Sequence, residues 1–409
     1  MEYNFNKNWI LRDSHGTEKK VDLPYDAMIQ EKRQDDCLNG INSGYFPGGK
    51  YVYRKKFELT ETEVGQKCII HFEAVYQNCV ITVNDLEVMR HRYGFSSFDA
   101  DITKAVREGV NTITVSVDNS LEPNCRWYSG SGIFRDVKLR ILDHDYINKF
   151  KVRTLSYDPA VIFVETATVN NSDVKVLITY EGKTVYSGDP GEIEIEKARL
   201  WNAEEPNLYD ITVISEKDER SIRYGIRRLE WSVDKGLLVN GRETLLRGAC
   251  IHHDHGVIGA NEYYDSEYRR IRILKENGFN AVRMAHNQAS EITLKVCDEL
   301  GMYVMNEAFD GWYVPKTYHD YSRYFEECWK DDLRSMVESG YNHSCVIMYS
   351  IGNEVSETAS KRGVGTCGLL KEYVSSMDDS RPVTAGINVL LNVYSSMGMG
   401  IYKEKGEYK

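Results

Sequence analysis

Near residue 231 the hydrophobic pattern of this 409-residue chain changes its period, and that change dictates what the chain can fold into. Before it, apolar and polar residues alternate. Tyr51-Val52-Tyr53-Arg54-Lys55-Lys56-Phe57, Cys68-Ile69-Ile70-His71-Phe72, Cys79-Val80-Ile81-Thr82-Val83-Asn84 and Asn111-Thr112-Ile113-Thr114-Val115-Ser116-Val117 repeat every second residue. This is the period of a strand with one buried face. Asn84-Asp85 and Pro47-Gly48-Gly49 punctuate them as turns. Many short strands without a convincing helix predict a jelly-roll β-sandwich over 1–144. Further strands near Ala160–Ala167, Val174–Tyr180 and Tyr209–Val213 predict an immunoglobulin-like sandwich over 145–230, with no cysteine pair to pin its sheets.

After residue 231 the apolar runs become continuous and alternate with helical stretches. Runs such as Phe279–Met284, Met302–Met305 and Cys345–Ile351 lack the alternation of a half-exposed strand. Tyr264–Asn277, Ile292–Leu300 and Tyr324–Ser339 place apolar residues on one helical face. Buried strands alternating with helices mean a parallel sheet. Strands are expected near residues 246, 279, 302, 345 and 382. A (β/α)₈ TIM barrel needs eight strands and usually ~250 residues. The region 231–409 is therefore read as the first five strands of such a barrel. The polar tail Lys403–Lys409 offers no closing strand, so either the sheet stays open or the chain is a fragment of something longer.

Bulk properties exclude several functions. The formal net charge is -11 with no basic block, which repels nucleic acid and anionic membranes. No apolar run approaches the roughly 20 residues needed to span a bilayer, and Met1–Phe5 lacks the features of a secretory signal. Nine scattered cysteines suggest neither a disulfide framework nor a zinc knuckle. A cytoplasmic protein with reduced cysteines is expected. The 28 tyrosines are either sugar-stacking surface or the ordinary usage of a β-rich chain.

In a βα barrel the reactive residues stand at the C-terminal ends of the strands. The first run delivers His252-His253-Asp254-His255, the second Arg283 and His286-Asn287, the third Asn306-Glu307 through Asp310-Gly311-Trp312, and the fourth Gly352-Asn353-Glu354. Each has a plainer reading. The histidines could hold a metal, although neighbours on a strand point to opposite faces. Arg283 could be an ion-pair partner, and Glu307, Asp310 and Glu354 could cap helices. Their joint position at four successive strand ends favours a pocket.

Several segments carry a specific resemblance. Tyr341-Asn342-His343-Ser344 followed by Ser350-Ile351-Gly352-Asn353-Glu354 resembles the "NHPS…WSxGNE" signature of glycoside hydrolase family 2. Arg247–Asp254 is similar to "RGxNxHED", Asn280–His286 to "NAVRTSH" and Cys297–Gly301 to "CDELG". Upstream, Val21–Asp26 resembles "VxLPHDW", Arg126–Val137 resembles "RWYxGxGIxRDV", and Leu200-Trp201 with Pro206–Tyr209 resembles "LWxxxxPxLY".

The resemblance implies a retaining β-glycosidase acting on terminal β-glycosides of carbohydrates. β-Galactoside is the first expectation and β-glucuronide the alternative. It implies Glu354 as acid/base and Asn353 as a contact to the sugar 2-hydroxyl. His252 and His286 would touch the sugar ring, and Arg283 would support the nucleophile. Glu307, Asp310 and Trp312 transfer less directly. Asn124 stands near where relatives place an Asp reaching into the pocket, with the residue changed and one extra residue in the loop. The family nucleophile is a Glu at the end of barrel strand seven, beyond the fifth strand found here. Glu307 lies on the wrong side of the pocket to replace it. The chain is thus expected to be inactive alone. A non-catalytic carbohydrate-binding or structural protein is the competing reading. Some relatives bind Mg²⁺ or Na⁺, but no complete ligand set is visible, so no cofactor or metal is assigned. An open half barrel exposes apolar faces, and a homo-oligomer is expected.

Overall fold

The computed structural model describes residues 1–398; the polar tail at 403–409 lies outside them. The jelly-roll region is two antiparallel sheets face to face. One has six strands in the order Glu18–Val21, Trp9–Arg12, Lys50–Leu59, Gly109–Asp118, Cys79–Val83, Leu86–His91. The other has four, ordered Glu2–Asn4, Val137–Leu142, Lys67–Phe72, Phe98–Asp101. The alternation acts as the period-two pattern requires. Tyr51, Tyr53, Phe57 and Leu59 enter the core with Trp9, Ile70, Phe72, Ile81 and Val115, while Lys50, Arg54 and Glu58 face water.

The second sandwich packs Ile147–Tyr157, Ala160–Thr168 and Gly191–Glu194 against a four-stranded sheet built on Lys175–Tyr180 and Tyr209–Ile214. Its core of Ile162, Val164, Ile178, Ile211 and Val213 holds the sheets together without a disulfide, and all nine cysteines are free. A small antiparallel sheet over Leu229–Ser232, Gly236–Val239 and Arg242–Glu243 follows, an element the hydrophobic pattern did not reveal.

The remaining region is a five-stranded parallel sheet in sequence order: β1 (Gly248–Ile251), β2 (Ala281–Met284), β3 (Tyr303–Glu307), β4 (Val346–Asn353) and β5 (Val383–Gly386). Helices α1 (Tyr264–Glu276), α2 (Glu291–Leu300), α3 (Phe325–Gly340) and α4 (Lys361–Met377) return the chain between them, and α5 (Val389–Ser396) follows β5. This is partial TIM-barrel architecture, five of the eight strands a closed barrel needs. No helix among the described residues is long and apolar enough to cross a membrane.

Both sandwiches grip the barrel with buried polar contacts. Arg135, 2% exposed, pairs with Glu262 at 2.9 Å and donates to the carbonyl of Gln288. Tyr93 donates to the Ala308 carbonyl at 2.6 Å, and Ser96 to Asp332 of α3 at 2.6 Å. From the second sandwich, Arg227 donates to the carbonyls of Ser344 and Val346, both at 2.7 Å. The jelly roll therefore sits over the C-terminal end of the sheet, where its Asn119–Asp136 loop can reach the strand ends.

Candidate active site

All five strand ends and one jelly-roll loop converge. Glu354 follows the last residue of β4, and its carboxylate remains 37% exposed. Its Oε1 accepts from Asn388 Nδ2 at 3.1 Å, and its Oε2 lies 3.9 Å from Arg126 Nη1. Its backbone has φ +46°, in the left-handed region that a side-chain-bearing residue occupies only when its surroundings impose it, at a cost of roughly 1–3 kcal/mol. The surroundings are clear. The Glu354 N–H donates to the Gly386 carbonyl at 2.5 Å, tying the end of β4 to the end of β5. Gly386 itself has no room for a side chain, since a Cβ there would lie 2.7 Å from Arg283 Nη2 and 3.2 Å from the Asn353 Cα.

Asn353 is 2% exposed and held at both ends of its amide. Its Oδ1 accepts from Arg283 Nη2 and its Nδ2 donates to Asp310 Oδ1, both at 2.9 Å. One donor hydrogen and one lone pair remain for a ligand. Asp310 also takes Arg126 through two bonds, 2.6 and 3.0 Å, and Lys316 Nζ at 2.9 Å. Burial pushes the Asp310 carboxyl upward, but the Lys316 and Arg126 cations outweigh it and hold the group below its usual range.

Glu307 differs from its expected place on the pocket wall. It has no exposed surface. Arg283 donates to its Oε2 at 2.9 and 2.6 Å, Ser350 Oγ donates to the same oxygen at 2.5 Å, and His286 Nδ1 meets its Oε1 at 2.5 Å. Arg283 and His286 are thus oriented through Glu307, a buried carboxylate that pairing makes tolerable. Asn124 lines a cavity together with Trp127, His286 and Asp310. It is 4% exposed, and its amide is bonded to Asn119, the Leu121 carbonyl and Tyr76. Trp312 is fully buried, donating to the Ile351 carbonyl at 2.7 Å, so it is a support beneath β4 and no sugar platform.

The aromatic wall comes from Trp127. Its ring leans on His252 at 4.8 Å and on His286 at 5.0 Å, with the Arg126 guanidinium 5.0 Å from its face. Burial, with the neighbouring His286, lowers the pKa of His252. Its Nδ1 and the Trp127 Nε1 are buried with no hydrogen-bond partner among the described residues.

The other histidines of that cluster diverge, as the strand period demands. His253 is 1% exposed, with Nε2 3.2 Å from the Ser129 carbonyl, and burial drives its pKa to about 3. His255 turns to Glu267 at 2.5 Å. The capping alternatives also fall. The turn Ser356–Ala359 has no side-chain cap, Ser360 caps α4, and α3 begins well beyond Asp310. Among the described residues, the His/Cys/Asp/Glu group compact enough for an ion is Asp298, His343 and Cys345, at the opposite end of β4. Its atoms are occupied with one another, His343 Nδ1 to Asp298 Oδ2 at 2.6 Å and the Cys345 N–H to Asp298 Oδ1 at 2.7 Å.

Arg126, Trp127, Ser350, Lys316 and Asn388 join the site without having been singled out from sequence. The first three lay inside segments already recognised as distinctive. Lys316 and Asn388 carried no signal, because only folding of the β3 and β5 loops brings them to β4.

The architecture is a partial βα barrel under a jelly roll, with ionisable groups gathered at the strand ends, and comparison with known proteins specifies its family. Models of glycosyl hydrolases family 2 match in order: the sugar binding domain over residues 41–142, the model described simply as glycosyl hydrolases family 2 over 137–227 and the TIM barrel domain over 232–406. The chain belongs to glycosyl hydrolase family 2. It is 34% identical to the β-galactosidase BoGH2A of Bacteroides ovatus, over 90% of this chain and 50% of that protein. It is 29% identical to a putative β-glucuronidase of Formosa agariphila, over 94% of this chain and 40% of that protein. A family 2 crystal structure from Bacteroides cellulosilyticus superposes with a TM-score of 0.89 at 33% identity, covering 97% of this chain and 57% of that one. The chain therefore spans about half the length of the relatives it matches.

Proposed function

We propose that this chain carries the acid/base half of a retaining β-glycosidase site, with Glu354 as the acid/base and a terminal β-galactoside as substrate. The observation that carries this reading is the contrast among the three pocket carboxylates. Glu307 and Asp310 are consumed by cations and donors, whereas Glu354 alone presents an open carboxylate at the strand end. An open carboxylate can give a proton to a leaving oxygen and later take one from water. Asn353 would offer its remaining amide valences to the 2-hydroxyl, a contact that strengthens in the transition state. The unpartnered Trp127 Nε1 and His252 Nδ1 supply groups that sugar hydroxyls would satisfy.

Retention requires a second carboxylate about 5 Å from the first. The crowded Glu307 does not suit attack, so in this reading the nucleophile comes from a later barrel strand, as the family resemblance implies. The galactoside assignment rests on similarity to the Bacteroides ovatus enzyme, with a β-glucuronide as the alternative. The test is hydrolysis of aryl β-galactosides and β-glucuronides by the full-length polypeptide. Glu354→Gln should lower kcat/KM for a phenyl glycoside by roughly 10²-fold or more, the usual weight of a general acid. Full activity in that variant sinks the assignment. Binding of galactose without turnover by the full-length polypeptide would support the non-catalytic reading.

A further inference from the structure

We propose that Lys316, on the long loop after β3, is a positioning residue that sets the geometry of Glu354. The inference rests on Glu354 being the acid/base. Lys316 is a buried ammonium, its side chain 3% exposed, on a loop that would ordinarily hold its lysines in water. Its Nζ donates to Asp310 Oδ1 at 2.9 Å and to the backbone carbonyl of Asn353 at 2.5 Å.

That carbonyl belongs to the peptide unit joining Asn353 to Glu354. The N–H of the same unit donates to Gly386. One peptide group is therefore gripped at both poles, by a cation on its oxygen and by the end of β5 on its nitrogen. Rotation of this unit is what would release Glu354 from φ +46°. A lone pair of main-chain bonds to a strand would hold the register of β4. Recruiting a buried charge to the carbonyl adds orientation exactly one bond before the reactive side chain's own residue begins.

Burial lowers the pKa of Lys316, and the carboxylates of Asp310 and Glu354 act against that fall. Arg126 works from the other side, 3.9 Å from Glu354 Oε2 and bonded to the same Asp310. Asp310 thus links two cations that flank the acid/base.

The test compares leaving groups, using the full-length polypeptide. A phenyl glycoside needs protonation of its departing oxygen, whereas a 2,4-dinitrophenyl glycoside scarcely does. In Lys316→Met, kcat/KM for the phenyl substrate should fall about tenfold or more while the dinitrophenyl value changes less than about threefold. Lys316→Arg should restore part of the phenyl rate. If the Met variant does not fold by circular dichroism, Lys316→Gln keeps a donor toward Asp310 and should show the same selectivity. An equal loss on both substrates overturns the proposal while Glu354→Gln still marks the acid/base. Absence of turnover in the wild type, or full phenyl activity in Glu354→Gln, overturns the parent reading and this one with it.

Discussion

Glu354 and Glu307 are both glutamates at barrel strand ends, yet their surroundings assign them opposite work. Two nitrogens of Arg283, the Ser350 hydroxyl and His286 close around Glu307, and no oxygen is left for a substrate. Removing one partner from such a buried carboxylate exposes the cost of its desolvation. Ser350→Ala should therefore cost about 1–3 kcal/mol in unfolding by denaturant, more than an exposed serine would. Gly386 is the second sensitive position. Gly386→Ala places a methyl 2.7 Å from Arg283 Nη2 and 3.0 Å from the Gly352 carbonyl. The variant should lose about 1–3 kcal/mol of stability and weaken galactose binding measured by calorimetry. Glu354 was legible from the Gly352-Asn353-Glu354 segment because its neighbours are contiguous. The pairing of Arg126, Asp310 and Lys316 was not legible, because three distant segments supply it.

At the scale of elements, helix α3 carries a titrating contact between the jelly roll and the barrel. Asp332 is 1% exposed and accepts from Ser96 and Tyr321. Burial raises its pKa to about 7. The unfolded chain would ionise this group near pH 4, so its stabilising contribution is complete below that pH and disappears as pH rises through about 7. The melting temperature should fall between about pH 4 and about pH 7, and Asp332→Asn should flatten that part of the curve. A slope unchanged in the variant would remove Asp332 as its source. Helices α1, α2 and α3 and the five parallel strands followed from hydrophobic period, to within a few residues at their ends, whereas α4 and α5 were not singled out. The small sheet over Leu229–Glu243 did not, because strands of two to four residues are too short to display a period.

At the scale of the whole molecule, the face of the parallel sheet that carries Arg283 also carries Cys250, Met305 and Met348, none of them fully buried, with Leu246 at its margin. Leu245 and Val389, near its two edges, are each 71% exposed. Apolar surface of this kind is normally covered. The 409-residue chain is therefore expected to self-associate in light scattering at micromolar concentration. A stable monomer would show that these faces are tolerated in water.

By itself the sequence determined the kind of layers, the number of parallel strands in the described region, and the strand ends where chemistry can gather. Period and contiguous motifs are local, and they survive in a linear string. Only the tertiary structure decided which carboxylate remains open. That choice depends on cations and donors arriving from a jelly-roll loop, the β3 loop and the end of β5, and no spacing along the chain encodes their meeting.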